Sequence, residues 1–128
     1  MYIPFNKPVY LQKYDENIKR VLLKKNHFSS LGYFSKKSES LLNNLLNVNC
    51  SILTKSCTSA LEMCALLLNI KQGDEIIMPS YTFVSTANAF VMRGGVPIFV
   101  DITENDLNID LNQIEKKITK KTKAVMAV

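Results

Sequence analysis

Small hydroxyl side chains are concentrated at residues 55–62, where an apolar run gives way to a helical pattern. Ser59 and Glu62 have the S-x-x-E spacing of a capping box, which predicts a helix start. The first amides of a helix have no partner within it, and the helix dipole favours negative charge there. The segment therefore predicts an anion site, most simply for a phosphate. The alternative is that these residues are ordinary helix caps.

A second segment, Pro79–Thr86, contains two aromatic and four Ser or Thr side chains in eight residues. An aromatic ring beside an anion site suits a flat, phosphorylated ligand, because one element binds the phosphate and the other covers the ring. Phe83 is the candidate ring partner, although a phenylalanine is more commonly a core residue. Neither G-x-G-x-x-G nor G-x-x-x-x-G-K-[ST] occurs, so dinucleotide and P-loop sites lack their signatures.

Apolar runs and helical patterns alternate along most of the chain, which predicts an α/β fold with a mostly parallel sheet flanked by helices. Residues 1–10 are expected to be an extended arm, and Asn26–Tyr33 a loop in which Gly32 permits an unusual backbone angle. The predicted strands are Cys50–Thr54, Glu75–Met78, Pro97–Val100 and Lys123–Val128. The predicted helices are Tyr14–Lys25, Ser35–Leu46 with Ser35 as its cap, Ser59–Leu68, Thr82–Met92 closed by Gly94 and Gly95, and a helix over Leu111–Ile118 capped by Asp110.

Ligands of parallel sheets bind outside the carboxyl ends of the strands. That rule predicts that three stretches share one rim of the sheet: Ser56–Ser59, Pro79–Ser85 and Asp101–Asn108.

Composition favours one modest packed domain, with 128 residues of which 47% are hydrophobic. The net charge of +5 includes a lysine-rich stretch at residues 116–123, which fits either a polyanion partner or, more simply, a solvated helix end. Successive cysteines are seven positions apart, at Cys50, Cys57 and Cys64. Zinc sites use closer pairs of cysteines, so we expect no metal site. The lone His27 has no nearby catalytic partner. Without a signal peptide or membrane-length apolar run, a cytoplasmic protein is expected, with no nucleic-acid or membrane partner.

Several segments resemble the DegT/DnrJ-type sugar aminotransferases, which are fold-type-I enzymes that use pyridoxal 5'-phosphate (PLP). The segments are Ser56–Met63, Gly73–Phe90, Phe99–Asp101 and Asn108–Asp110. The resemblance covers essentially all 128 residues, and the block from 73 to 90 is the most specific part of it. It implies that residues 1–34 form an arm, a helix and a substrate-side loop, and that residues 35–128 begin the PLP-binding large domain.

The resemblance also implies roles for individual residues. The amides of Cys57 and Thr58, with the Thr58 hydroxyl, would bind the cofactor phosphate, Ser56 would shape the turn, and Phe83 would lie over the pyridine ring. The substrate loop would include Ser30, Gly32 and Tyr33, although it departs here from the family's usual glycine-rich stretch. The implied reaction is transamination of a TDP-linked 4-keto-6-deoxy-hexose for surface polysaccharide synthesis, with glutamate as donor, in a cytoplasmic homodimer.

The family's Schiff-base lysine, and the aspartate that pairs with the pyridinium nitrogen, have no counterpart within residues 1–128. Val128 ends inside an apolar run, so we expect the chain to be the front part of a longer protein. No catalytic residue is therefore assigned, and residues 1–128 alone are expected to be inactive, since transamination needs the lysine to hold the cofactor and move a proton. The alternatives are a related PLP-dependent aminotransferase, a sugar dehydratase with histidine in place of the lysine, and a non-catalytic remnant or binding module.

Overall fold

The computed structural model describes residues 3, 4, 6, 7, 9, 11, 13–23 and 32–128. Two compact units are present, Met1–Leu53 and Thr54–Val128. The elements are α1 Lys13–Leu23, α2 Tyr33–Leu46, α3 Cys57–Leu67, β1 Glu75–Pro79, α4 Val84–Val91, β2 Val96–Val100, α5 Leu111–Lys117 and β3 Thr122–Val125. None of the helices in the described ranges has the length and apolar character needed to span a bilayer.

The first unit contains the helices α1 and α2, both of which the periodicity predicted. Residues 24 and 25, at the predicted end of α1, and residues 26–31 of the predicted loop lie outside the described residues. Two details of α2 were wrong. Gly32, not Ser35, is the N-cap, so the helix starts three residues earlier than a cap at Ser35 predicts, and Gly32 has an ordinary extended backbone with φ of −71°. The proposed division between residues 34 and 35 stays a prediction.

The predicted strand Cys50–Thr54 is wrong, because these residues form no ladder with any strand of the described sheet. The amide of Leu53 instead donates to the Glu39 carboxylate at 3.2 Å. The side chains of Ile52 and Leu53 are exposed. A short apolar run can be extended without being a strand, since a strand is defined by its hydrogen-bonded neighbour.

The second unit is built on a three-stranded parallel sheet in the order β2-β1-β3. Ile77 of the central strand pairs with Ile98 on one side and Val125 on the other. The predicted α/β fold with a parallel sheet is therefore confirmed. The last predicted strand is shorter than expected, because regular pairing ends at Val125, although the amide of Met126 still donates to the Ile77 carbonyl at 2.8 Å.

Alternate residues of β1 face two separate parts of the core, as the twofold repeat of a strand requires. Ile76 and Met78 pack with Ala65 of α3 and Phe90 of α4, and all four side chains are buried. Ile77, which lies between them in the strand, faces the other part of the core. There it packs with the buried Val100 and Ile109 and the half-buried Ile98 and Ile114. Helices α3 and α4 therefore cover one face of β1, while residues of β2 and α5 pack with the other.

The turn between α4 and β2 depends on Gly94, which has a φ of +87°. A Cβ at this position would lie 2.5 Å from Oε1 of Gln72 and 2.9 Å from its Cα. The carbonyl of Gly94 accepts a hydrogen bond from the Gly73 amide at 2.9 Å. Glycine is thus required both by the backbone angle and by the close approach of the preceding turn. Helix α4 itself ends at Val91, one residue earlier than predicted.

Candidate functional site

Helix α3 begins with a side-chain cap. Ser56 has an extended backbone, and its Oγ accepts a hydrogen bond from the Ser59 amide at 3.1 Å, while its carbonyl accepts one from the Ala60 amide at 3.1 Å. The predicted capping box of Ser59 and Glu62 is therefore wrong, because Ser59 is the third residue of the helix rather than its cap. The serine three positions earlier reaches the amide that an N-cap normally satisfies.

The cap leaves donors available at the start of α3. The amides of Cys57 and Thr58 occupy the first two helical positions, and neither has a hydrogen-bond acceptor among the described residues. The Thr58 hydroxyl also has no partner within the described ranges. Three donors thus gather at the positive end of a helix dipole, where an anion is stabilised.

Helix α4 begins in a different way. Its N-cap residue is Phe83, which makes no side-chain capping bond. The Phe83 ring is 75% exposed, so it is not part of the core of this unit. The backbone around it is held by Thr86, whose amide donates to the Phe83 carbonyl at 3.0 Å and whose hydroxyl lies 2.8 Å from that of Thr82.

The starts of α3 and α4 line one cavity of about 500 Å³. The lining residues are Cys57, Thr58, Leu61, Thr82, Phe83, Ser85, Thr86, Met126, Ala127 and Val128. Three of the four residues predicted to bind a cofactor, Cys57, Thr58 and Phe83, are therefore brought together by the fold. Ser56 does not line the cavity; it shapes the turn as the N-cap.

Sequence reasoning missed the contribution of residues 126–128, which follow β3 and line the same cavity. The rule that placed the other stretches could have found them, because they also follow the carboxyl end of a parallel strand. The apolar pattern of residues 123–128 predicts a strand there and no part in a site. Ser85 and Thr86 were included in the hydroxyl-rich segment but were given no individual role.

The third predicted rim stretch does not line this cavity. Thr103, Asp106 and Asn108 line a neighbouring cavity of about 610 Å³, and the two cavities share Ala127 and Val128 in their linings. The loop is closed on itself: the Thr103 amide donates to the Asn108 carbonyl at 2.8 Å, and the Asn108 amide donates to Asp106 Oδ1 at 3.0 Å. The hydroxyl of Thr103 also donates to Asp106, and these hydrogen bonds lower the pKa of that exposed carboxyl from 3.8 to about 2.

The predicted substrate residues belong to the first unit. Ser30 lies outside the described residues. Gly32 caps α2, and the ring of Tyr33 packs edge-on against Phe34 with centroids 5.2 Å apart. Their contact with a substrate stays a prediction.

The remaining charged and thiol groups form no further centre in the described part of the chain. All three cysteines are free thiols with exposed side chains. The lysines of residues 116–123 are exposed. Within the described ranges, no group of three or more His, Cys, Asp or Glu side chains could hold a metal ion.

Comparison with known proteins places this geometry in context. The sequence model of the DegT/DnrJ/EryC1/StrS aminotransferase family matches residues 11–128. GDP-perosamine synthase of Vibrio cholerae is 35% identical over 124 residues, which are 94% of this chain and 34% of that protein. A 3-oxo-glucose-6-phosphate:glutamate aminotransferase of Bacillus subtilis is 39% identical over 97 residues, covering 76% of this chain and 22% of that protein.

The fold agrees with that match. The PLP form of a Streptococcus pneumoniae protein described as a sugar aminotransferase superposes with a TM-score of 0.83 and 27% identity, covering 96% of this chain and 31% of that structure. The chain spans between 20% and 35% of the length of the curated relatives it matches.

Proposed function

Because the chain belongs to the DegT/DnrJ/EryC1/StrS aminotransferase family, we propose that the cavity between α3 and α4 binds pyridoxal 5'-phosphate. The donors present are suited to that group. Amides at a helix start and a hydroxyl complement a phosphate, and an exposed aromatic face complements a pyridine ring. When bound, the cofactor supplies an electron sink for chemistry at an amino-bearing carbon.

One observation carries the proposal: Cys57 and Thr58, whose amides have no acceptor among the described residues, line the same cavity as the exposed Phe83. In the proposed arrangement the two amides and the Thr58 hydroxyl bind the phosphate, and Phe83 covers the ring and keeps water from it. Ser56 contributes indirectly, because its Oγ occupies the Ser59 amide and defines where the helix begins. No catalytic residue is assigned within residues 1–128.

The proposed reaction is transfer of an amino group to a keto sugar carried on a nucleotide. The names of two relatives support different parts of this class: GDP-perosamine synthase names a nucleotide-linked amino sugar, and 3-oxo-glucose-6-phosphate:glutamate aminotransferase names a keto sugar phosphate and glutamate. We propose glutamate as donor and a TDP-linked 4-keto-6-deoxy-hexose as substrate, in a cytoplasmic homodimer that serves surface polysaccharide synthesis. Supplying TDP- and GDP-linked keto sugars in parallel to the complete protein tests the nucleotide, and preference for GDP would overturn that part of the proposal.

Cofactor binding can be tested without catalysis. Pyridoxamine 5'-phosphate is the suitable probe, because it lacks the aldehyde with which PLP reacts at exposed lysines. We expect Phe83→Ala to weaken its binding by about 1–3 kcal/mol, measured by isothermal titration calorimetry. Thr58→Ala should weaken binding of both the probe and inorganic phosphate, because it removes a donor to the phosphate.

Tyr81→Ala is the matched control for Phe83→Ala. Tyr81 is 64% exposed and lies two residues away, but it does not line the cavity. Its removal should leave the affinity unchanged. The proposal fails if the wild-type chain binds pyridoxamine phosphate no more tightly than inorganic phosphate, or if the two aromatic substitutions have equal effects.

A further inference from the structure

Phe83 occupies a position at which its side chain cannot help the helix. Residues at the N-cap normally supply an oxygen to a free amide, and apolar side chains are disfavoured there. Phe83 has no such group, and it makes no capping bond. Its ring is also largely exposed, so burial does not explain its placement. Something other than Phe83 itself must hold this residue at the mouth of the cavity.

The hydrogen bonds around Phe83 come from the threonines on either side of it. The hydroxyls of Thr82 and Thr86 lie 2.8 Å apart, so that one donates to the other across Phe83. The Thr86 amide donates to the Phe83 carbonyl at 3.0 Å, and the Thr82 amide donates to the Ser80 carbonyl at 3.1 Å. The backbone of Phe83 is therefore held on both sides.

Thr86 connects this arrangement to the core. It is the buried polar side chain of the described residues, only 6% exposed, and the next turn of α4 carries the fully buried Phe90. A buried hydroxyl needs a partner, and the partner here is Thr82. The position of the Phe83 backbone is thus set relative to the packed interior rather than left to an exposed loop.

We infer that Thr82 and Thr86 are positioning residues that hold Phe83 where its ring covers a planar phosphorylated ligand. This inference rests on the proposed function. It assigns the pair a part in recognition of the ring and none in recognition of the phosphate, which the start of α3 binds. The two parts of the ligand are therefore separable by experiment.

The primary test is Thr86→Val, which replaces the hydroxyl with a methyl group of similar size. We expect affinity for pyridoxamine 5'-phosphate to fall by about three- to tenfold, the range expected for loss of one hydrogen bond. Affinity for inorganic phosphate should not change. Thr86→Ser, which retains the hydroxyl, should restore most of the affinity for pyridoxamine 5'-phosphate. A role in helix stability alone would not change the ratio of the two affinities.

Thr82→Val removes the other hydroxyl of the same hydrogen bond. This variant also tests the inference if the buried Thr86→Val substitution prevents folding. The single substitutions should have similar effects, and the double variant should be no worse than either, because each one breaks the same hydrogen bond. Additive losses would overturn the inference.

A double-mutant cycle between Thr86 and Phe83 establishes whether the threonine pair acts through Phe83. Both threonines also line the cavity, so a direct contact with the ligand is the competing explanation. In a Phe83→Ala background, Thr86→Val should have no further effect on affinity for pyridoxamine 5'-phosphate. A further loss in that background would show direct contact and overturn the positioning role.

Failure of the proposed function and failure of this inference give different results. If the wild-type chain does not distinguish pyridoxamine 5'-phosphate from inorganic phosphate, the proposed function fails first. If it does, and Thr86→Val preserves the ratio of the two affinities, only this inference fails.

Discussion

The starts of α3 and α4 line the same cavity, but the first turns of the two helices are stabilised in different ways. Helix α3 has a serine at its N-cap that satisfies a helical amide, and the two amides before that one have no acceptor in the described part of the chain. Helix α4 has a phenylalanine at its N-cap, and its first turn is held by a pair of threonines instead. The difference shows that capping a helix and presenting a side chain to a ligand are separate tasks. Where they compete, the neighbouring residues stabilise the helix start.

The largest effect should come from the buried face that anchors α4. Phe90, in the last turn of α4, is fully buried against Ile76 and Met78, whereas Phe83, the N-cap of the same helix, is largely exposed. We expect Phe90→Ala to lower the free energy of unfolding by about 3–5 kcal/mol, because it leaves a cavity in the core. Phe83→Ala, the matched change, should lower it by less than about 0.5 kcal/mol. Urea denaturation of the two variants measures the difference, and equal losses would contradict the assignment of Phe83 to the surface.

An intermediate effect should come from the cap of α3. Ser56→Ala leaves the Ser59 amide without its acceptor, so the free energy of unfolding should fall by about 0.5–2 kcal/mol. Ser56→Asp, which retains a capping oxygen, is the control and should remain close to wild type. If Ser56→Ala were as stable as wild type by the same urea titration, the start of α3 would not depend on its side-chain cap.

A smaller effect of opposite sign is expected when a capping residue replaces Phe83. Phe83→Ser supplies an oxygen to the first turn of α4, so this variant should be more stable than Phe83→Ala by about 1 kcal/mol. It should still lose affinity for pyridoxamine 5'-phosphate as Phe83→Ala does, because both lack the ring. Thermal unfolding and calorimetric titration of the same samples measure the two properties. Stability and affinity that fell together would mean that the N-cap and ring-binding roles are not in competition.

The smallest effect is expected on the pKa of Asp106, in the loop after β2. This loop belongs to neither helix start. The pKa of Asp106 is lowered to about 2, chiefly by the Thr103 hydroxyl. Since the folded-state pKa is below the ordinary 3.8, the stabilising contribution is complete above pH 3.8 and is lost as the pH falls through about 2. Thr103→Val should raise the pKa toward 3.8, as measured by NMR titration of the Asp106 carboxyl carbon. An unchanged pKa would contradict the assigned cause.

The same variant tests whether the cavity of α3 and α4 is independent of this loop. Thr103 lines the neighbouring cavity and is not among the residues that line the cavity of Phe83 and Thr58. Affinity for pyridoxamine 5'-phosphate should therefore be unchanged in Thr103→Val. A loss of affinity would extend the site to the third rim stretch, as the sequence had predicted.

Local patterns predicted most elements of the second unit. The apolar run at Glu75–Met78 became the buried central strand, and Asp110 caps α5 through a hydrogen bond from the Asn112 amide to its carboxylate at 2.9 Å. The same reasoning failed at Cys50–Thr54, because an apolar run contains no information about which strand, if any, will pair with it. It also chose the wrong serine as the cap of α3, since several hydroxyl residues in succession fit the same local rule.

By itself, the sequence determined the α/β class, the parallel character of the sheet and the residue types available for binding a phosphate and an aromatic ring. Hydrophobic periodicity and hydroxyl-rich helix starts are local properties, and a single chain displays them directly. Only the tertiary structure decided that Cys57, Thr58 and Phe83 share a cavity and that residues 101–108 do not. It also decided that Phe83 stays outside the core. These outcomes depend on the order of the strands and on which face of each helix the core buries, and neither is a property of any one segment.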